Sequence, residues 1–315
     1  MPLLRINAEM DRPVLHGGGD LHAALSEQLM VLPDGAPVVV MIHGYRFSPT
    51  NSDTCPHRHI LSIRPRKGCW KAISWPRHLG FGRGKRDEGL AIAFGWEARG
   101  SIWQAWASAA AAGAALAELI GRVQALRKVP VDLLTHSLGA RVALAALPQA
   151  PAGSVGRIVL LAAAEFQSTA VAALAMPAGR GAEFINVTSR ENDLFDKLLE
   201  GFVRAPKRSD CALGAGLGQD ARNWLDLQMD CPAVRSVLAE LGYRVPPPVR
   251  RVCHWSAYLR PGLFVLYLDL IRRRPALPLE LLRARLPERA ANRWSRLFKS
   301  PMLQLPIWPR FRSRA

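Results

Sequence analysis

The chain has 315 residues, enough to bury a full hydrophobic core, and with 49% hydrophobic and 21% charged residues it is not a disordered composition. Five cysteines, an odd number at irregular spacings, argue against a secreted disulfide framework and fit a reducing compartment. The formal net charge of +17 is concentrated: residues 55–86 hold nine Lys/Arg and no acid, and residues 271–315 hold twelve Lys/Arg against Glu280 and Glu288.

The N-terminus, Met1-Pro2-Leu3-Leu4-Arg5-Ile6-Asn7, carries no apolar stretch behind a basic start, so no signal peptide and a cytoplasmic location are expected. Residues 3–8 suggest an edge strand and 20–31 a helix. Residues 37–45 form a continuous apolar run ending at Gly44, the pattern of a strand buried on both faces of a parallel sheet. Runs at 90–96, 131–135 and 157–162 look alike, 183–188 is shorter but rich in strand formers, and 224–229 is weaker. Between them lie helix-like segments: 101–128, alanine-rich and followed by Pro130, then 138–147, 168–176 and 193–203. The alanine-rich stretch carries Gln104, Ser108 and Glu118 and reads as a packed helix rather than a membrane span.

This alternation predicts an α/β fold with a doubly wound, mostly parallel sheet. The predicted body is 1–271. An insertion at about 49–88, rich in Arg, Gly, Pro and Trp, interrupts it, and a basic, proline-rich tail follows at 272–315 with amphipathic pieces at 279–286 and 288–299.

The chemistry centres on Thr135-His136-Ser137-Leu138-Gly139. A serine hydroxyl needs a base and a fixed, exposed geometry to act as a nucleophile. A tight turn from buried strand to helix supplies that geometry, provided small residues stand two before and two after the serine. Gly139 fits; Thr135 is a tighter substitute for glycine. A developing oxyanion needs two aimed donors. The candidates are the backbone N–H of Leu138 and that of Tyr45 in His43-Gly44-Tyr45, with Gly44 N–H as the alternative. His43 itself reads as a buried brace for that loop.

In such sheets the order is nucleophile, acid, histidine. Of the eight histidines only His254 follows Ser137, between a strand-like and a helix-like segment, so it is the expected base. Asp193, just past the strand at 183–188, is the expected orienting acid, and N-capping is its competing role. Glu191 and Asp196 on the same loop are fallbacks, and Glu165 is a more distant one.

On these residues the chain resembles the α/β-hydrolase superfamily. More narrowly it is similar to the esterase/lipase-like family of the DUF900 type. The resemblance covers about 36–270 and rests on Met41-Ile-His-Gly-Tyr45, Ala93-Phe-Gly-Trp96 before a long helix, Thr135-His-Ser-Leu-Gly139, Asn192-Asp193, and His254 with Tyr258. It implies a Ser137–Asp193–His254 triad cleaving carboxylic esters through an acyl-enzyme. Arg46 and Glu97-Ala98 depart from the family pattern and bear on the pocket lining. The same machinery serves thioesterases, amidases and acyltransferases; a non-catalytic scaffold that binds membrane or partner is the reading from another class.

No cofactor is expected. Cys55, His57, His59 and Cys69 supply zinc-type ligands, but their spacing and neighbouring arginines argue against a metal. Trp70, Trp75 and Phe81 among arginines suggest a lid or substrate-side loop, or else a plain solvated loop, rather than a nucleic-acid patch. The expected partner is a small or lipid-like ester. The tail, with Trp294, Leu297, Phe298, Ile307, Trp308 and Phe311 among its arginines, has the profile of a segment lying on an anionic membrane.

Overall fold

The computed structural model describes residues 3–66, 68–85, 87–287 and 291–297. Its strands are β1 (Leu3–Glu9), β2 (Arg12–Leu15), β3 (Val38–Ile42), β4 (Leu90–Gly95), β5 (Val131–His136), β6 (Val155–Leu161), β7 (Glu183–Thr188) and β8 (Trp224–Gln228). They form one sheet in the order β2-β1-β4-β3-β5-β6-β7-β8. Every neighbouring pair is parallel except the β1–β2 hairpin. β1 is therefore not the edge strand: β2 covers it, with Met10 at φ +56° in the two-residue turn between Glu9 and Arg12.

The helices are α1 (Leu21–Met30), α2 (Trp75–His78), α3 (Ile102–Arg127), α4 (Gly139–Ala146), α5 (Gln167–Leu174), α6 (Pro177–Gly181), α7 (Asp193–Phe202), α8 (Pro232–Glu240), α9 (Ser256–Leu259), α10 (Leu263–Arg272) and α11 (Leu279–Arg285). Because side chains alternate along a strand, β3 feeds two cores. Val38, Val40 and Ile42 pack beneath α1, α3, α4 and α5. Val39 and Met41 pack beneath the insertion, α8, α10 and α11.

α3 starts at a capping box, with Ser101 Oγ accepting from Gln104 N–H and Gln104 Oε1 accepting from Ser101 N–H. By length and composition it could cross a membrane. Here its alanines let it press against α4, so closely that a Cβ at Gly113 would stand 2.6 Å from that of Ala145. This parallel sheet, wrapped by helices and carrying a strand–turn–helix at its centre, has the α/β-hydrolase fold.

Two segments expected to stand apart are packed into this body. Within the insertion Trp75 and Phe81 are fully buried, and the Glu88 carboxylate accepts from the backbone N–H of Gly82, Arg83 and Lys85. These aromatics are core residues and not lid residues; Trp70 alone of the three named stays exposed. Past residue 272 the chain continues into the second core through Leu277, Leu279, Leu282 and Leu286. Arg157, buried in β6, donates to the carbonyls of Leu270 and Leu277, and Arg274 pairs with Asp132. Residues 291–297 cross α7, where Arg293 pairs with Glu200 at 2.7 Å. Phe298, Ile307, Trp308 and Phe311 lie outside the described residues.

Candidate active site

Ser137 ends β5 at φ +56°, the left-handed region that a non-glycine residue occupies at a cost. Its backbone is over-determined: its N–H donates to Leu161 O, and its carbonyl accepts from Ala140 N–H and Ala164 N–H. Close approach on both sides demands glycine. A Cβ on Gly44 would lie 2.7 Å from Ser137 Cβ and 2.8 Å from His136 O. One on Gly139 would lie 2.7 Å from His43 O. Thr135 is fully buried here, its hydroxyl oxygen without a partner among the described residues.

The β3 loop is held by His43. Its Nδ1–H donates to Gly44 O at 2.9 Å, and Nε2 accepts from Trp96 N–H at 3.0 Å. The indole of Trp96 stacks on the ring and returns a hydrogen bond to His43 O. Burial pushes the His43 pKa down to about 3, so the ring stays neutral and braces the loop. The N–H groups of Tyr45 and Leu138 find no acceptor among the described residues, and both residues line the cavity above Ser137.

That cavity, of about 780 Å³, also receives His254. The His254 loop is tied down at three points. Cys253 N–H donates to Glu191 O at 2.9 Å, His136 Nε2–H donates to His254 O at 3.1 Å, and Phe195 stacks on the imidazole. Burial lowers the His254 pKa well below its ordinary value, with the charges of His136 and Lys71 adding to the effect.

The orienting partner differs from the one expected. His254 Nδ1–H donates to Asn192 Oδ1 at 2.6 Å, and Asn192 Nδ2–H donates in turn to Asp196 Oδ1 at 2.9 Å. Asp193 does not reach the imidazole. Its Oδ2 accepts from Trp294 N–H at 2.6 Å, and its Oδ1 lies 3.3 Å from Arg190 Nη1. As the first residue of α7 it is turned toward the crossing segment, so the side chain one position earlier faces the histidine. Glu191 pairs with buried Arg260, and Glu165 pairs with Arg141 at 2.7 Å, so neither fallback serves. Asp196, the remaining one, sits behind Asn192. Burial raises its pKa to about 7, against the opposing charges of Arg190 and Arg293.

No family model and no curated protein matches the chain, so the narrower likeness to the DUF900 type finds no support. Among solved structures, Aspergillus fumigatus lipase B matches at 14% identity and a TM-score of 0.37. The match covers 81% of this chain but 58% of that one.

With Asn192 bound to Nδ1–H, the lone pair of the neutral imidazole is left on Nε2, the nitrogen free to take a proton. Among the described residues no hydrogen bond joins Ser137 Oγ to that nitrogen; contacts of this kind often tighten only around a substrate. The cavity wall is largely apolar: Phe47, Ile102, Leu138, Leu199, Phe202 and Trp255 contribute, with Arg46 and Lys71 as its cations. The α7 residues of this wall were not legible in sequence. Leu198 and Phe202 of this wall, with Leu194 outside it, recur at helical spacing, the usual signature of a face turned to the core. No group of three or more His, Cys, Asp or Glu is gathered for a metal among the described residues.

Proposed function

We propose that the protein is a serine hydrolase that cleaves esters of apolar acyl groups, with Ser137 as nucleophile, His254 as base and Asn192 as the residue that orients the base. The observation that carries this reading is one cavity shared by a serine in a left-handed strand–helix turn and a histidine whose Nδ1–H is engaged by a buried amide.

In this mechanism His254 Nε2 takes the hydroxyl proton as Ser137 Oγ bonds to the ester carbonyl carbon. The oxyanion is received by the N–H groups of Leu138 and Tyr45. Collapse breaks the carbon–alkoxide bond, and the imidazolium returns its proton to the leaving alcohol. Water then repeats the sequence on the acyl-enzyme and frees the acid.

An asparagine in the third position fixes the tautomer and ring angle as a carboxylate does, without supplying its charge. The same constellation with Cys and Asn operates in papain-like proteases. The apolar wall favours an acyl chain over a polar acid portion, and thioesters or amides of such acids are the competing substrates for the same groups.

The deciding experiment is labelling with a fluorophosphonate probe, comparing the natural chain with Ser137→Ala. Labelling that depends on Ser137 is expected. Equal labelling of the two folded proteins, or none of either, refutes the reading. A series of p-nitrophenyl esters of increasing chain length then reports how much of the cavity the acyl group fills.

A further inference from the structure

We infer that the mouth of this cavity is a docking surface for an anionic lipid bilayer, made by an exposed apolar rim set among unneutralised cations. The inference goes beyond the hydrolase reading and does not require turnover.

The apolar half comes from three separate parts of the chain. On α7, Leu194, Leu198 and Phe202 recur at helical spacing and are 41%, 43% and 53% exposed. Trp103 at the start of α3 is 60% exposed, its indole N–H fixed on Phe202 O at 2.7 Å. Trp70 of the insertion is 57% exposed and packs edge-on against Trp255 of the cavity wall. Leu198, Phe202 and Trp103 also line the cavity, so the exposed rim and the inner wall are one continuous apolar surface. Exposed apolar patches of this kind on a soluble surface mark interaction sites. Half-exposed tryptophans suit the boundary between water and hydrocarbon, and the indole N–H of Trp103 is anchored.

The cationic half identifies the occupant. Lys71 Nζ lies 3.3 Å above the Trp255 ring, Arg250 stands over Trp70, and Arg46 over Tyr45. No carboxylate of the described residues pairs with any of the three. The acids beside the rim are already engaged: Asp193 by Trp294 N–H and Arg190, Glu200 by Arg293. The described chain reaches residue 297 beside this rim, where Arg296 donates to Arg250 O, and the sequence beyond adds Lys299, Arg310, Arg312 and Arg314. A rim of this charge repels a second copy of a chain that carries +17. It attracts a bilayer bearing anionic headgroups, which basic groups near the surface bind electrostatically.

The test is sedimentation with phosphatidylcholine vesicles, with and without 30% phosphatidylglycerol, using the full-length Ser137→Ala protein so that binding is read without turnover. Binding to the anionic vesicles is expected. In Trp70→Ser/Leu194→Ser, whose two residues lie outside the cavity lining, the vesicle dissociation constant should rise at least about tenfold. Met30→Ser/Val265→Ser, exposed apolar residues elsewhere, should bind unchanged. Equal binding to uncharged vesicles, or no binding to either kind, overturns the inference. So does a full-length chain with Lys299, Arg310, Arg312 and Arg314 changed to Gln that loses all binding while the rim variant keeps it. The probe experiment on Ser137 is independent of this result, so failure of one is distinguishable from failure of the other.

Discussion

Replacing Asn192 by leucine isolates the group that orients His254. The side chain is almost fully buried, and its amide oxygen accepts the Nδ1–H of His254 at 2.6 Å. In the proposed reaction that imidazole becomes an imidazolium, so the hydrogen bond is one to a charged donor in the transition state. Such a bond is worth about 1.5–3 kcal/mol, and a freed ring also loses its fixed tautomer. A loss of about 2–4 kcal/mol of transition-state stabilisation follows, or about 30- to 1,000-fold in kcat/KM. The assay is the second-order rate of fluorophosphonate labelling, supported by hydrolysis of a short p-nitrophenyl ester, on variants checked for a cooperative melt. Asp193→Asn is the matched control: it keeps an acceptor for Trp294 N–H and should label within about threefold of the natural chain. Asn192→Asp combined with Asp196→Asn exchanges amide and carboxylate, and should recover much of what leucine loses. If Asn192→Leu labels at the natural rate while Asp193→Asn does not, the assignment of Asn192 is wrong.

Gly44→Ala should inactivate and destabilise together, because its Cβ would stand 2.7 Å from that of Ser137; overpacking of this kind costs about 1–3 kcal/mol, visible in the thermal midpoint. His43 and His136 have pKa values depressed to about 3 and about 4, so the stability they contribute is complete above pH 6.5 and drains away as pH falls toward those values. Between pH 6.5 and 4.5 each should therefore cost up to about 1.4 kcal/mol per pH unit, and His43→Gln should flatten the slope in denaturant titrations; an unchanged slope would show that the ring does not stay neutral. Asp196 runs the other way: its pKa is raised to about 7, so its share of stability is complete below the ordinary carboxylate range and is lost as pH rises toward 7. Asp196→Asn should accordingly gain stability relative to the natural chain between pH 5 and pH 8, and a parallel pair of melting curves would argue against a strained carboxyl.

The central strands were readable because a strand buried on both faces must be apolar throughout, as β3, β4 and β6 largely are. The short hairpin strand β2, Arg-Pro-Val-Leu, carries no such run, and its proline is tolerated only because β2 lies at the sheet edge. Trp75, Phe81 and Trp70 look equivalent in sequence, yet the first two are sealed against the sheet and the third stands in solvent; which aromatic is buried depends on contacts from α10 some two hundred residues away. Turn chemistry and chain order singled out Ser137, His254, Tyr45 and Leu138, which the structure gathers around one cavity. Asn192 was not among them, because a carboxylate is the usual partner of a catalytic imidazole. The neighbouring Asp193 supplies one, but its side chain is committed to Trp294, a contact with a sequence separation of 101 that no local pattern carries.

The order in which the site's parts occur along the chain has a consequence for biosynthesis. Both proposed oxyanion donors and the proposed nucleophile belong to residues 45–138, ahead of the other parts of the site. Asn192 and His254 emerge later, and Trp294, whose N–H holds the Asp193 carboxylate, comes later still. A partly synthesised chain thus presents a serine with neither base nor orienting amide. In the proposed mechanism, reactivity therefore waits for the last third of the chain, which brings His254.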